Sequence, residues 1–328
     1  LALGAAERGY APDRVIRWGI RRLCAQRIEE CENGLAPQEF AKLMRLGPIA
    51  PVPEKANEQH YEVPPEFFEA VLGKRLKYSC GLWSAGTQTL DEAEEAALAA
   101  TCERAEIADG QDILELGCGW GSLSLWMAEK FPRSHIVSVS NSAPQRRFIE
   151  KRAAERGLRN LEVVICDMND FSTERRFDRV VSVEMFEHMR NYELLLKRVA
   201  SWLKDDGKLF VHIFCHKTHA YAFETNGSAD WLAEHFFTGG IMPNFTVFDS
   251  FQHDIELARS WQWNGTHYEK TANAWLENMD AKRTELMPVF ESVYGADAAQ
   301  WFQRWRIFFM ACAELWGYRH GGEWFVGH

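Results

Sequence analysis

The sequence predicts an α/β fold in which helices cover both faces of a doubly wound, mostly parallel sheet. Three observations support this prediction. Short apolar strands alternate with amphipathic helices from residue 113 onward, and a glycine-rich turn follows the first of these strands. The 328 residues, 46% of them hydrophobic, also supply enough material for one large domain with appendages.

The chain before this alternation is predicted to be mainly helical. Arg14 to Glu32 has apolar residues at helical spacing, and a second helix is expected over Leu90–Ala105. Pro51 and Pro53 mark a loop, and a short helix beginning at Pro64 is expected within Tyr61–Leu76. Residues 1–60 are therefore predicted to form a helical N-terminal extension, which either caps the active site or pairs two subunits in a homodimer.

Five strands and three helices follow, and a helix lies between neighbouring strands everywhere except between the third and fourth. Their lengths suit parallel strands that are covered on both faces, and right-handed crossovers make such a sheet doubly wound. The predicted strands are Ile113–Leu116, His135–Val139, Leu161–Cys166, Arg179–Val183 and Lys208–Phe214, and the helices are Ser122–Lys130, Pro144–Arg156 and Tyr192–Leu203.

The regular alternation stops after His216. Residues 217–290 mix helices, a Gly-Gly pair and short strands, and a long aromatic helix follows over Ala298–Leu315. Because ligands of such sheets bind beyond the carboxyl ends of the strands, we interpret 217–290 as a lid that binds substrate. Residues 61–328 are therefore predicted to form one domain that contains this lid.

Charge and cysteine content restrict the function classes. The net charge of −10 argues against nucleic-acid binding and weakens adhesion to anionic membranes. Eight cysteines without a Cys-x-x-Cys pair are typical of reduced thiols in a cytoplasmic protein. No apolar run approaches about 18 residues, so stable membrane insertion is not expected.

The glycine-rich turn is the strongest local signal. Gly117, Gly119 and Gly121 alternate directly after an apolar strand that carries Glu115. Glycine lets a ligand lie against bare backbone. The spacing differs from the Gly-x-Gly-x-x-Gly of dinucleotide sites and resembles the first motif of S-adenosylmethionine-dependent methyltransferases. An ordinary strand-to-helix turn is the alternative interpretation of the glycines alone.

The second and third strands end in residues suited to a nucleoside. Ser140 and Asn141 close the second strand and Gln145 follows, so hydroxyl and amide groups are available to bind a diol. No Asp or Glu occurs from 131 to 148, where a nicotinamide dehydrogenase would carry its acidic ribose ligand. Asp167 and Met168 end the third strand, where a carboxylate can accept the exocyclic amine of adenine and an apolar side chain can cover its ring.

Longer stretches carry a family resemblance from about residue 55 to the end. Tyr78-Ser-Cys80, Leu114–Gly121, Ser140–Gln145 and Met185–His188 together resemble the cyclopropane-fatty-acyl-phospholipid synthase superfamily. Within it, Val183–Tyr192, Phe236–Pro243 and Trp263–Tyr268 are more similar to the coclaurine N-methyltransferase branch. The resemblance implies S-adenosylmethionine as cofactor, with S-adenosylhomocysteine as product. The residues that are predicted to bind the cofactor, including Asn141 next to Ser140, are Tyr78, Ser79, Gly117, Gly119, Ser140, Asn141, Gln145, Asp167 and Met168.

Three ionisable residues at the end of the fourth strand are the predicted catalytic group. An aliphatic amine is protonated at neutral pH and must lose a proton before it can attack a methyl group. The carboxylates of Glu184 and Glu187 would attract the ammonium, and His188 is suited to act as a base. If both glutamates approach one site, repulsion raises the pKa of one of them. For His188 two roles stay open, direct base or orienter of Glu187.

The resemblance also implies a substrate pocket formed by Cys80, His212, Phe214, Tyr268 and Trp316. Cys80, Glu187, His212 and Tyr268 match positions of a bicarbonate pocket in the cyclopropane branch. However, Phe214 stands where that branch carries isoleucine, and this argues against bicarbonate. No metal is expected, because the sequence around His212 offers no third or fourth ligand.

These residues favour an S-adenosylmethionine-dependent methyltransferase that N-methylates a small alkaloid-like amine with an aromatic or cyclic body. Cyclopropane synthases usually carry a small residue at the position of Glu184, so this glutamate favours the amine branch. The alternative enzyme transfers a methylene carbon to an unsaturated acyl chain. A third hypothesis, a catalytically silent cofactor-binding protein, is disfavoured by the intact glycine turn and acidic cluster.

Overall fold

A seven-stranded sheet organises the described part of the chain, which comprises residues 2–52, 64–223 and 231–328 of a computed structural model. Its strands are β1 (Asp112–Leu116), β2 (His135–Ser140), β3 (Leu161–Ile165), β4 (Phe177–Val183), β5 (Leu203–His216), β8 (Gln262–Trp263) and β9 (Trp324–Gly327). They lie in the order β3-β2-β1-β4-β5-β9-β8, and β1 to β5 are parallel. The doubly wound, mostly parallel prediction is confirmed.

Helices surround this sheet. The N-terminal extension contains α1 (Ala2–Glu7), α2 (Asp13–Glu32) and α3 (Pro37–Leu43). The remaining helices are α4 (Pro65–Val71), α5 (Leu90–Arg104), α6 (Ser122–Lys130), α7 (Ala143–Glu155), α8 (Tyr192–Trp202), α9 (Trp231–His235), α10 (Thr266–Ala281), α11 (Arg283–Tyr294) and α12 (Ala298–Trp316). A small separate ladder pairs β6 (Tyr221–Ala222) with β7 (Ile241–Met242).

Two features of the sheet differ from the prediction. β5 begins at Leu203 rather than Lys208, because Leu203 pairs with Phe177 and the intervening residues bulge out before Lys208 pairs with Arg179. The antiparallel pairs β5–β9 and β8–β9 extend the sheet beyond the predicted strands. The predicted boundary between 60 and 61 lies outside the described residues. The short helix expected to begin at Pro64 is present as α4, and Pro64 directly precedes its first residue.

The N-terminal extension packs on the long aromatic helix near the end of the chain. α2 and α12 are in contact, and the Arg17 guanidinium donates to Glu314 at 2.9 Å. Glu7 on α1 accepts hydrogen bonds from Arg304 on α12 and from the indole of Trp231 on α9. No helix within the described ranges is both long and apolar enough to cross a membrane.

Candidate active site

The glycine turn after β1 opens a cavity at the carboxyl edge of the sheet. All three glycines have a positive φ, between 51° and 80°. A Cβ on Gly117 would lie 2.7 Å from Met185 Cγ, and one on Gly121 would lie 2.6 Å from Ile149 Cγ1. A Cβ on Gly119 would have no atom within 4 Å. Gly117 and Gly121 therefore allow close packing, whereas Gly119 presents bare backbone to open space.

We call this space the glycine-turn cavity. All the residues predicted to bind the cofactor line it: Tyr78, Ser79, Gly117, Gly119, Ser140, Asn141, Gln145, Asp167 and Met168. Ala50 and Val52, at the end of the N-terminal extension, lie on its wall as well. This placement agrees with a capping contribution from the extension.

Three buried polar atoms on this wall form no hydrogen bond with any described residue: Thr101 Oγ1, Ser122 Oγ and Gln145 Nε2. Unpaired buried polar atoms are costly, so such a cluster beside an open cavity is typical of a binding site for a polar ligand. The other amide atom of Gln145, Oε1, accepts a hydrogen bond from Ser140 Oγ at 2.7 Å. Two of these three residues, Thr101 and Ser122, were not predicted from the sequence.

A buried carboxylate organises the loop that carries Tyr78 and Ser79. The Glu94 carboxylate accepts the backbone N–H groups of Gly73 and Arg75 at 2.9 Å and that of Lys77 at 3.2 Å. Burial raises the pKa of Glu94 to about 7. Lys77, also buried, donates to Ser79 Oγ at 2.5 Å, and burial lowers the pKa of its ammonium while the charge of Glu184 raises it.

Glu184 lies in a strained turn directly after β4. Its φ of 48° lies in the left-handed region, which non-glycine residues occupy chiefly where surrounding contacts hold them. Its Oε2 accepts from the Tyr268 hydroxyl at 2.6 Å, and its Oε1 accepts from the Cys80 N–H at 3.0 Å. His212 Nε2 lies 3.2 Å from Oε1. Burial raises the pKa of Glu184, and the Lys77 charge and these hydrogen bonds oppose the rise.

A second space, the aromatic cavity, meets the first at Tyr78, Glu184 and His188, which line both. Phe214, Tyr268 and Trp316 lie on its wall as predicted. The Tyr268 and Trp316 rings stack with centroids 4.9 Å apart and planes within 5°. The other wall residues are Phe223, Leu232, Phe237, Met242, Trp275, Phe308, Cys312 and Leu315.

His188 presents its imidazole at this junction. The ring stacks on Phe237, with centroids 6.4 Å apart and planes within 17°. Removal from water lowers the pKa of His188 to about 4, although the Glu184 charge acts in the opposite direction. The imidazole is therefore neutral near pH 7, as a group that must accept a proton has to be.

Glu187, by contrast, lines neither cavity. It is buried, and its Oε1 accepts the backbone N–H of Phe214 at 2.7 Å. Burial raises the pKa of Glu187 well above its ordinary value, and the nearby Glu184 charge adds to this effect. Of the two predicted carboxyl groups, that of Glu187 therefore binds the backbone of β5 and does not face the junction of the two cavities.

Cys80 and His212 are also absent from both walls, although both were predicted to contact substrate. Each is buried behind Glu184 and bonds to its carboxylate, Cys80 through the backbone N–H and His212 through Nε2. They support the junction from behind. Within the described residues, no group of three or more His, Cys, Asp or Glu is arranged to hold a metal.

A parallel sheet with an antiparallel final pair, together with a glycine turn at its carboxyl edge, defines a class I methyltransferase fold. The mycolic acid cyclopropane synthetase family model matches residues 52–320, and the chain belongs to that family. The resemblance inferred from the motifs is confirmed.

Within the family, the chain is similar to alkaloid N-methyltransferases. It is 37% identical to (S)-coclaurine N-methyltransferase of Thalictrum flavum subsp. glaucum, over 98% of this chain and 92% of that protein. A crystal structure of coclaurine N-methyltransferase bound to N-methylheliamine and SAH superposes with a TM-score of 0.96 at 36% identity, covering 99% and 97% of the two chains. Cyclopropane-fatty-acyl-phospholipid synthase of Escherichia coli K12 is 28% identical over 78% of this chain and 68% of that protein.

Proposed function

We propose that this protein is an S-adenosylmethionine-dependent methyltransferase that N-methylates a small amine with an aromatic or cyclic body. The observation that carries the proposal is the position of Glu184 and His188, which both line the junction of the glycine-turn cavity and the aromatic cavity. The similarity to coclaurine N-methyltransferase supports it. S-adenosylmethionine supplies the methyl group on a sulfonium.

The residues of the glycine-turn cavity suit that cofactor. The bare backbone at Gly119 allows close approach, and the unpaired atoms of Thr101, Ser122 and Gln145 offer polar partners. Asp167 and Met168 provide a carboxylate and an apolar surface on the same wall. S-adenosylhomocysteine would leave from this cavity as the product.

At the junction, the Glu184 carboxylate holds the protonated amine by charge. The neutral His188 imidazole then accepts one N–H proton, which leaves the lone pair on the amine nitrogen that an attack on a methyl group requires. Aromatic rings line the adjoining cavity, and the face of such a ring stabilises a positively charged nitrogen that lies against it. His188 is thus proposed as the direct base, since Glu187 lies off the cavity walls.

Two substrate assays separate this function from cyclopropane synthesis. The enzyme is given S-adenosylmethionine labelled in its methyl group, with either heliamine, the unmethylated form of N-methylheliamine, or vesicles of unsaturated phospholipid. We expect label in the amine and none in the lipid, whether or not bicarbonate is present. Label in the lipid alone, dependent on bicarbonate, would instead support methylene transfer. A homodimer and a cytoplasmic location remain predictions from the sequence.

The glycine turn gives a second prediction, which concerns cofactor affinity. Gly119→Val should weaken S-adenosylmethionine binding at least about tenfold by calorimetry, because its side chain would enter open cavity space. Gly121→Ala is the matched control. Its Cβ would clash with Ile149, so its main effect should be a lower melting temperature. Unchanged affinity in Gly119→Val would place the cofactor elsewhere.

A further inference from the structure

A chain of hydrogen bonds runs from Glu184 through the sheet to Arg104, a residue to which no role has been assigned so far. His212 Nε2 lies 3.2 Å from Glu184 Oε1, and His212 Nδ1 lies 2.9 Å from His328 Nε2. On the far side, His328 Nδ1 contacts Arg104 Nη1. β4 and β5 hold the first pair in place, since the Glu184 N–H donates to the His212 carbonyl at 2.9 Å.

Arg104 fixes the direction of every bond in this chain, because a guanidinium has only donors. His328 Nδ1 must therefore accept, which leaves the proton of a neutral His328 on Nε2. That proton is donated to His212 Nδ1, so the His212 proton lies on Nε2 and is donated to Glu184. Burial lowers the pKa of both histidines well below the ordinary value, in agreement with one proton on each ring.

We propose that Arg104 and His328 are positioning residues that hold Glu184 in its ionised form by fixing the tautomer of His212. A protonated Glu184 that donated to His212 would reverse both histidines and set an N–H of His328 against an N–H of Arg104. The chain therefore disfavours protonation at Oε1. This inference rests on the proposed role of Glu184 as the anion that binds the ammonium.

Arg104 is held firmly enough for this role. Its guanidinium lies 5.4 Å from the ring centroid of Trp261 and 5.2 Å from that of Trp263. Trp263 also packs edge-on against His328 and His212, with centroids 4.4 and 5.5 Å away. Of the two histidines, His212 is fully buried, whereas His328 and Arg104 are half-buried.

Other groups also act on Glu184, and a test must separate their effects from that of Arg104. They come from the loop after α4, the turn after β4, and helices α10 and α12: Lys77, Cys80, Glu187, His188, Tyr268 and Cys312. The hydrogen bonds described for these residues do not reach His328 or Arg104. A change at Arg104 therefore leaves their direct contacts with Glu184 intact.

The tautomers can be read without substrate, by ¹⁵N NMR of the full chain labelled at histidine, with His212→Gln and His328→Gln used for assignment. We expect both rings to carry their proton on Nε2 at pH 7. In Arg104→Met, the His328 resonances should shift toward a mixture of tautomers, whereas Arg104→Lys, which can still only donate, should keep the wild-type pattern. A proton on Nδ1 of His212 in the wild-type enzyme would overturn the proposal.

A pH profile supplies the second readout. In Arg104→Met, the acid limb of kcat/KM for heliamine should move up by about one pH unit, a tenfold loss below that limb. The matched control is Arg179→Met, since Arg179 binds the Ala105 and Glu106 carbonyls at the end of the same helix but does not join the chain. An unmoved limb would refute the inference. A wild-type enzyme inactive on heliamine would count against the proposed function, and the NMR result would still decide the role of Arg104.

Discussion

Glu184→Gln is expected to cause a large loss of amine turnover, although the two side chains have nearly the same volume. The neutral amide removes the charge that holds the ammonium, and it also removes one of the buried negative charges that act on Lys77. Truncating one partner of a buried charge pair costs roughly 2–5 kcal/mol, about 30- to 4,000-fold in kcat/KM. S-adenosylmethionine affinity, measured by calorimetry, should change little, because the cofactor-binding residues are untouched.

Glu187→Gln provides the contrast. Burial and the neighbouring charge raise the pKa of Glu187, which favours the protonated carboxyl group, and glutamine resembles that form. We expect less than a tenfold loss of kcat/KM with heliamine. If Glu184→Gln kept activity within about threefold, or if Glu187→Gln were the more damaging change, the ammonium would not be held by Glu184.

The parallel strands could be predicted because they depend mainly on local sequence patterns. Each of β1 to β5 is a short apolar segment bounded by turn residues, and three glycines with positive φ mark the turn after β1. β9 was harder to assign, since the short run Trp324–Gly327 becomes a strand through its antiparallel pairing with β5. That pairing is a tertiary contact, which local periodicity does not encode.

The residues around the cofactor cavity were easier to predict from the sequence than those of the substrate pocket. Motif positions brought the cofactor-binding candidates to one wall, because the carboxyl ends of parallel strands share an edge. The motifs did not reveal which predicted pocket residues face the cavity. His212 lies behind Glu184 because Val183 pairs with His212 across the sheet, a register that only the folded structure specifies. Cys80 is held there by the hydrogen bond from its N–H to the Glu184 carboxylate.

Lys77 could have been found from the sequence, and Arg104 could not. Lys77 directly precedes the Tyr78-Ser-Cys80 motif, so a cation beside predicted carboxylates deserved selection. Arg104 is the last residue of a helix rich in alanine and glutamate, and its link to Glu184 passes through residues more than a hundred positions away in sequence. Such a connection exists only once the strands have paired.

The pH dependence of the free energy of unfolding should show whether His188 is held neutral, independently of catalysis. The folded pKa of about 4 lies below the ordinary 6.5, so the unfolded chain binds more protons between these values. The free energy of unfolding therefore falls as pH is lowered through this window. His188→Ala should make that fall less steep in urea titrations at pH 7 and pH 5. An unchanged slope would mean that the histidine is not held neutral.

His188→Ala is also expected to lower kcat/KM about 10²- to 10⁴-fold near pH 7, the usual contribution of a positioned base. The pH dependence distinguishes a base from an orienting group. Without the imidazole, the reaction depends on amine that has already lost its proton in solution, and that fraction rises about tenfold per pH unit below the pKa of the amine. Activity of the variant with heliamine should therefore recover as the pH rises toward 9. A constant deficit across this range would show that His188 only orients its neighbours.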